Sequence, residues 1–164
     1  MRWSSTTRRS LHAFYRLFPT KDDLLEAVLE ESIERGALSL RRRVEQRNEP
    51  VERLREFVVG YHELAIGHDA MLGSGPAFSE LTVQLGLTSP ATVWRVYRPV
   101  RVLADELLRA AIGAAAIRSD VDPGVIAQFI LSSVRSIAEL EIGGSTVHTT
   151  GEQLWQMVAG GVVV

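Results

Sequence analysis

Apolar residues recur along most of this chain in steps of three and four. Leu25, Leu29, Ile33, Ala37, Leu40 and Val44 follow one another at that spacing. It is the period of one helical face, and it predicts a long amphipathic helix running to about Arg47. Thr20 with Asp23 three residues on forms a capping box in which Asp replaces the usual Glu or Gln. Asp22 and Asp23 also suit the positive end of a helix dipole. Gly36 inside this helix costs about 1 kcal/mol relative to Ala and is tolerated.

The same reading continues downstream. Asn48 is a candidate cap with Pro50 in the first turn of a second helix. Its apolar positions are Val51, Leu54, Phe57, Val58, Tyr61, Leu64 and Ala65, and Gly67 is its stop. Gly73, Ser74, Gly75 and Pro76 mark a loop before a short helix around 77–85. Ser89-Pro90 opens a longer helix to about Ala116, which Pro99 should kink about one turn upstream by removing a backbone donor. Asp122-Pro123 begins another helix, ending at Gly143-Gly144. Thr149 with Glu152 suggests a second capping box and a last helix to about Ala159. With a short basic and aromatic segment near 10–17, that makes about seven helices and no convincing strand: an all-α fold.

Composition narrows the function. The chain has 164 residues, 46% hydrophobic and 23% charged, enough for one domain with its own core and too little for two large ones. A net charge of −2 gives no global reason for a polyanion partner. The distribution differs from the total. Residues 1–21 hold Arg2, Arg8, Arg9, Arg16 and Lys21 and no acidic side chain, so the remainder carries −7. A basic end on an acidic body is the asymmetry of a chain that touches phosphate or anionic lipid at one end. There is no cysteine, which excludes disulfides, thiol catalysis and Cys-based zinc sites. No apolar run approaches the roughly 18 residues of a membrane span. The Arg- and Ser/Thr-rich start faintly imitates a transit peptide, but folded-domain signals begin by Ser10, and the expected location is the cytoplasm.

The segment "SLHAFYRLFPTKDDLLEAVLEE" from Ser10 carries a family resemblance. It resembles the recognition helix and the following helix of TetR/AcrR-type transcriptional regulators. Ser10, Ala13, Phe14, Tyr15, Phe18, Thr20, Lys21, Leu24 and Leu25 fall on that pattern without a gap. The rest of the chain, including "YRPVRVLADELLRAA" and "GEQLWQMVAGG", is similar to the helical effector domain of the same family. The resemblance implies a partial helix–turn–helix region over 1–21, with the recognition helix about 10–17, and an effector-binding and dimerisation domain over 22–164. It implies that Ser10, Leu11, His12 and Ala13 face base edges in the major groove. Tyr15 and Lys21 would contact phosphate beside the free N–H groups of a helix start. Only nine residues precede Ser10, where the family has two helices. The expectation is therefore a truncated DNA-binding domain, with DNA binding weak, salt-sensitive or lost.

For the effector domain the resemblance implies a ligand-responsive regulator, most often a repressor, acting as a homodimer through its last two helices. The expected interface residues are Ile126, Phe129, Ile130, Ser133, Val134, Ile137 and Leu140 on one helix, with Leu154, Trp155, Met157 and Val158 on the other. Candidate pocket residues are Tyr61, His62, Phe78, Trp94 and Tyr97, with Leu64, Met71 and Leu81 beside them. Aromatic and apolar side chains with a few polar tips suit an apolar or aromatic ligand. No cofactor or metal is implied. An enzyme is the first rival, from a cluster of His62, His68 and Asp69. The two histidines are six apart and do not share a helical face, and no catalytic residue or spaced motif emerges. The second rival is a truncated remnant acting as a dimeric small-molecule-binding module without specific DNA binding.

Overall fold

The computed structural model describes residues 18–67, 83–86, 89–146 and 148–164. Six helices are built from them: α1 Lys21–Glu45, α2 Pro50–Ala65, α3 Pro90–Val96, α4 Arg98–Gly113, α5 Pro123–Ile142 and α6 Gly151–Val162. A further helical stretch covers 83–86. Among the described residues the only β pairing is an isolated antiparallel bridge between Ile117 and Val163. The chain is all-α.

Helix α1 forms as its spacing predicts. The Thr20 hydroxyl accepts the Asp23 backbone N–H at 3.1 Å, and the Asp23 carboxylate accepts the Thr20 backbone N–H at 2.9 Å. Two of the four orphan donors of the helix start are thereby satisfied. The apolar stripe Leu29, Ile33, Ala37, Leu40 and Val44 is buried. Helix α2 is the hub, packed against α1, α4, α5 and α6. It buries Leu54, Phe57, Val58, Tyr61 and His62, and the Phe57 and Tyr61 rings stack with centroids 6.0 Å apart. The cap of α2 is Glu49 and not Asn48, and it offers no side-chain bond; Pro50 supplies the preset φ of the first turn instead. Gly67 beyond the end of α2 has φ +78°, the left-handed geometry that favours glycine after a helix.

Charge ties α1 to α2. Arg43 reaches Glu56 at 2.7 Å and Glu63 at 2.6 Å, and Arg47 reaches Glu56 at 3.0 Å. Burial by itself would raise the Glu56 carboxyl, but the hydrogen bonds and charges of Arg43 and Arg47 hold it below the usual carboxylate value.

Two expectations about element ends are corrected. Residues 90–113 form two helices that meet at Tyr97, which caps both. Pro99 cannot donate to the carbonyl four residues back and its ring crowds that carbonyl, so the ladder is interrupted there. The Tyr97 N–H still bonds the Val93 carbonyl at 3.0 Å, and the Arg101 N–H the Tyr97 carbonyl at 3.1 Å. The last capping box is Thr150 with Gln153, one residue beyond the expected pair, and α6 continues to Val162. The register is set from outside the helix. Arg55 of α2 takes Glu152 at 2.6 Å, and the Thr149 N–H goes to Glu141 at 2.6 Å. Gly151 sits against α2 so closely that a Cβ there would lie 2.9 Å from Val59 Cα, which fixes α6 on the hub. Helix α5 ends as predicted, with Gly144 at φ +86° and the Ser145 N–H bonded to the Leu140 carbonyl at 3.0 Å.

Candidate functional site

Helices α2, α3, α4 and α5 enclose a cavity of about 250 Å³ that opens to solvent. Tyr61 reaches it from α2, and Pro90, Val93 and Trp94 from α3. Tyr97 lines it from the break between α3 and α4, and Arg101 from the first turns of α4. The α5 wall contributes Gln128, Leu131, Ser132 and Arg135. Helical spacing explains the grouping. Trp94, Tyr97 and Arg101 are three and four apart, as are Gln128, Ser132 and Arg135 in a different order, so each set shares a face.

The polar groups are arranged as follows. The Arg101 guanidinium lies over the Trp94 ring, 3.5 Å from its centroid, and its Nη2 donates to the Trp94 carbonyl at 2.9 Å. Burial and then the charge of Arg98 disfavour the charged form of Arg101. Arg135 stands 3.4 Å from Glu139 through Nε. The Gln128 amide donates to the Ser132 hydroxyl at 2.9 Å. Tyr61 is buried, and burial above all pushes its phenol far up, so it remains a neutral hydroxyl.

Of the residues expected to bind ligand, Tyr61, Trp94 and Tyr97 are brought together on this cavity. Trp94 forms its rim and is 57% exposed. His62 is not on this cavity; it is buried, with Nε2 3.9 Å from Glu141. Adjacent helical residues point about 100° apart, so Tyr61 and His62 cannot share one face. Leu64 is half-buried against the core. Phe78, Met71 and Leu81 lie outside the described residues, as do His68 and Asp69. Arg101, Gln128, Ser132 and Arg135 were not expected. The last three lie four and three apart along α5 and so share one face, but Ser133, Ser136, Glu139 and Glu141 are polar on the same helix, so polarity did not single them out.

The expected DNA-contacting residues Ser10, Leu11, His12, Ala13 and Tyr15 lie outside the described residues. Lys21 is the first residue of α1, directly after the Thr20 cap.

The expected dimer stripe divides in two. Ile126, Ile130 and Val134 of α5, with Leu154, Trp155 and Val158 of α6, are buried within the protomer. This corrects the assignment of those six side chains to an interface. The apolar residues left outside are Val125, Phe129 and Leu140 on α5 and Met157 on α6, each more than 60% exposed. Among the described residues no helix is long and apolar enough to cross a membrane.

No protein-family profile matches the sequence, and no curated protein matches it. Solved structures do share the fold. The transcriptional regulator FadR from Bacillus subtilis, determined in complex with stearoyl-CoA, superposes with a TM-score of 0.72 at 15% identity. The match covers 91% of this chain and 78% of FadR. The ketosteroid transcriptional regulator KstR2 of Mycobacterium tuberculosis gives 0.64 at 19% identity, over 93% of this chain and 78% of that one. A protein described as superantigen PfiT gives 0.66 at 21% identity, over 92% and 78%. The fold is thus the TetR-like all-α fold of such regulators.

Proposed function

We propose that this chain, with its TetR-like fold, is a ligand-responsive transcriptional regulator that works as a homodimer. Residues 1–21 supply its DNA contacts, and residues 22–164 form the effector-binding and dimerising part. The observation that carries the reading is the ungapped string from Ser10 leading into the Thr20 capping box of α1, on a chain with this fold. A shared fold does not carry a function by itself; the residues placed on it do.

Three features support the parts of the proposal. Arg8, Arg9, Arg16 and Lys21 give the N-terminal region the sign needed for phosphate. The cavity between α2 and α5 joins apolar walls to a few convergent polar groups, the pattern of a small-molecule site. Val125, Phe129 and Leu140, exposed on one face of α5, and Met157, exposed on α6, are the kind of apolar surface a symmetric partner covers. Catalysis has no part in the proposal.

A fluorescence-anisotropy titration on fragments of neighbouring genomic DNA, at two salt concentrations, tests it. The expected result is binding that weakens steeply with salt, as phosphate contacts require, with one fragment preferred over the others at the lower salt. A second reading is a dimeric ligand-binding module without specific DNA binding: the fold is shared with the superantigen PfiT, so it is carried by more than transcriptional regulators. Equal affinity for all fragments, with association and ligand binding intact, supports that alternative.

A further inference from the structure

The cavity presents more cationic character than its carboxylates answer. Arg101 and Arg135 both line it, one from α4 and one from α5. Among the described residues Arg101 has no carboxylate partner, and its buried Nε makes no hydrogen bond. Among the described residues the guanidinium is held by the Trp94 ring and the Trp94 carbonyl, which fix the plane of the group without neutralising it. Arg135 is ion-paired with Glu139 through Nε at 3.4 Å, outside hydrogen-bond geometry, and its side chain is 44% exposed, so its remaining N–H groups are open to a ligand. A buried guanidinium N–H without an acceptor is costly, and an anion supplying that acceptor gains a charge-assisted bond.

The rest of the wall fits an organic body. Val93 and Leu131 are buried apolar residues, and Tyr61 and Tyr97 add aromatic surface. Ser132 and Gln128 stand beside Arg135 on the same helix and can donate to a second oxygen. A volume of about 250 Å³ is small for a ligand site. Resting on the ligand-pocket reading above, we propose that this cavity takes a small organic monocarboxylate, aromatic or short-chain. Its carboxylate is held by Arg101 and Arg135, and its apolar body lies against Val93, Leu131 and Tyr97.

The test is isothermal titration of the full chain with benzoate, phenylacetate and hexanoate, each set against its primary amide. The amides keep size and shape and remove the charge. At least one carboxylate is expected to bind with a Kd of about 1 mM or below, and its amide about tenfold more weakly. Arg101→Gln should weaken the carboxylate about tenfold and leave the amide unchanged, since only the charge-assisted bond is lost. Arg101→Lys should restore part of that loss, and thermal unfolding checks that each variant is folded. Carboxylate and amide binding equally, with Arg101→Gln silent, overturns the proposal while leaving a neutral-ligand pocket standing. Failure of all three carboxylates overturns it as well. Leu131→Trp, which fills the cavity, separates the two readings: carboxylate binding that survives it removes the cavity itself as the ligand site.

Discussion

Phe129 and Ile130 are neighbours on α5 that should fail in opposite ways. Phe129 is 62% exposed and Ile130 is 0% exposed. If a second copy covers the α5–α6 face, Phe129 buries its open surface there. A Phe side chain offers about 200 Å², so about 120 Å² is open on each protomer. At about 25 cal/mol per Å², two symmetric copies contribute up to about 6 kcal/mol to the dimer, and about 3 kcal/mol if half the area is covered. Phe129→Ala should therefore raise the dimer Kd by a factor of about 10² to 10⁴ while leaving protomer stability within about 0.5 kcal/mol. Ile130→Ala removes methylene groups from the core between α5 and its neighbours. It should cost about 2–5 kcal/mol of folding stability. Sedimentation velocity across a concentration series reads the first effect. Urea unfolding of the dissociated protein reads the second. A Phe129→Ala protein that associates like the original, beside an Ile130→Ala protein that falls apart into stable monomers, would refute the division of α5 into inward and outward stripes.

Other consequences follow from particular contacts. Glu56→Gln should leave Arg43 and Arg47 without their shared carboxylate and cost about 1–3 kcal/mol at neutral pH, measured by urea unfolding. Because the folded Glu56 carboxyl lies below its ordinary value, the unfolded chain binds the proton first as pH falls. Stability from this group is present above that ordinary value and is lost as pH drops through the folded one, so acid unfolding should be flatter in Glu56→Gln. Gly151→Val should cost about 1–3 kcal/mol, since the new Cβ meets the Val59 backbone and neither helix can yield cheaply; differential scanning calorimetry checks it. In DNA titrations Tyr15→Phe and Lys21→Ala should weaken binding to all sequences, with a shallower salt slope for Lys21→Ala, whereas His12→Ala should change the preference at particular bases.

Local signals carried much of the fold. The stripe from Leu29 to Val44 was legible because the apolar residues of α1 concentrate on one side, although Val28 and Leu38 lie exposed elsewhere on it, so period names the buried face. Thr20, Pro50, Gly67 and Gly144 announced helix ends because caps and left-handed glycines act within one turn. The second capping box was ambiguous by one residue. Thr149-Thr150 precedes Glu152-Gln153, so two registers offer the same local chemistry, and Arg55 on another helix chose between them.

Helix α5 marks where sequence alone stops. Val125, Ile126, Phe129, Ile130, Leu131, Val134, Ile137 and Leu140 spread over about two thirds of its circumference. Period says which of them share a stripe, but not which stripe meets the core. That was decided by α2 and α4, whose packing left Phe129 outside and Ile130 inside. The cavity is of the same kind. The faces holding Trp94, Tyr97 and Arg101, and Gln128, Ser132 and Arg135, are written in the spacing, yet they lie about 30 residues apart along the chain. Packing of α4 on α5, and of both on α2, sets them across one space, because a helix fixes its own faces through bonds within four residues and has no local interaction that selects its partner.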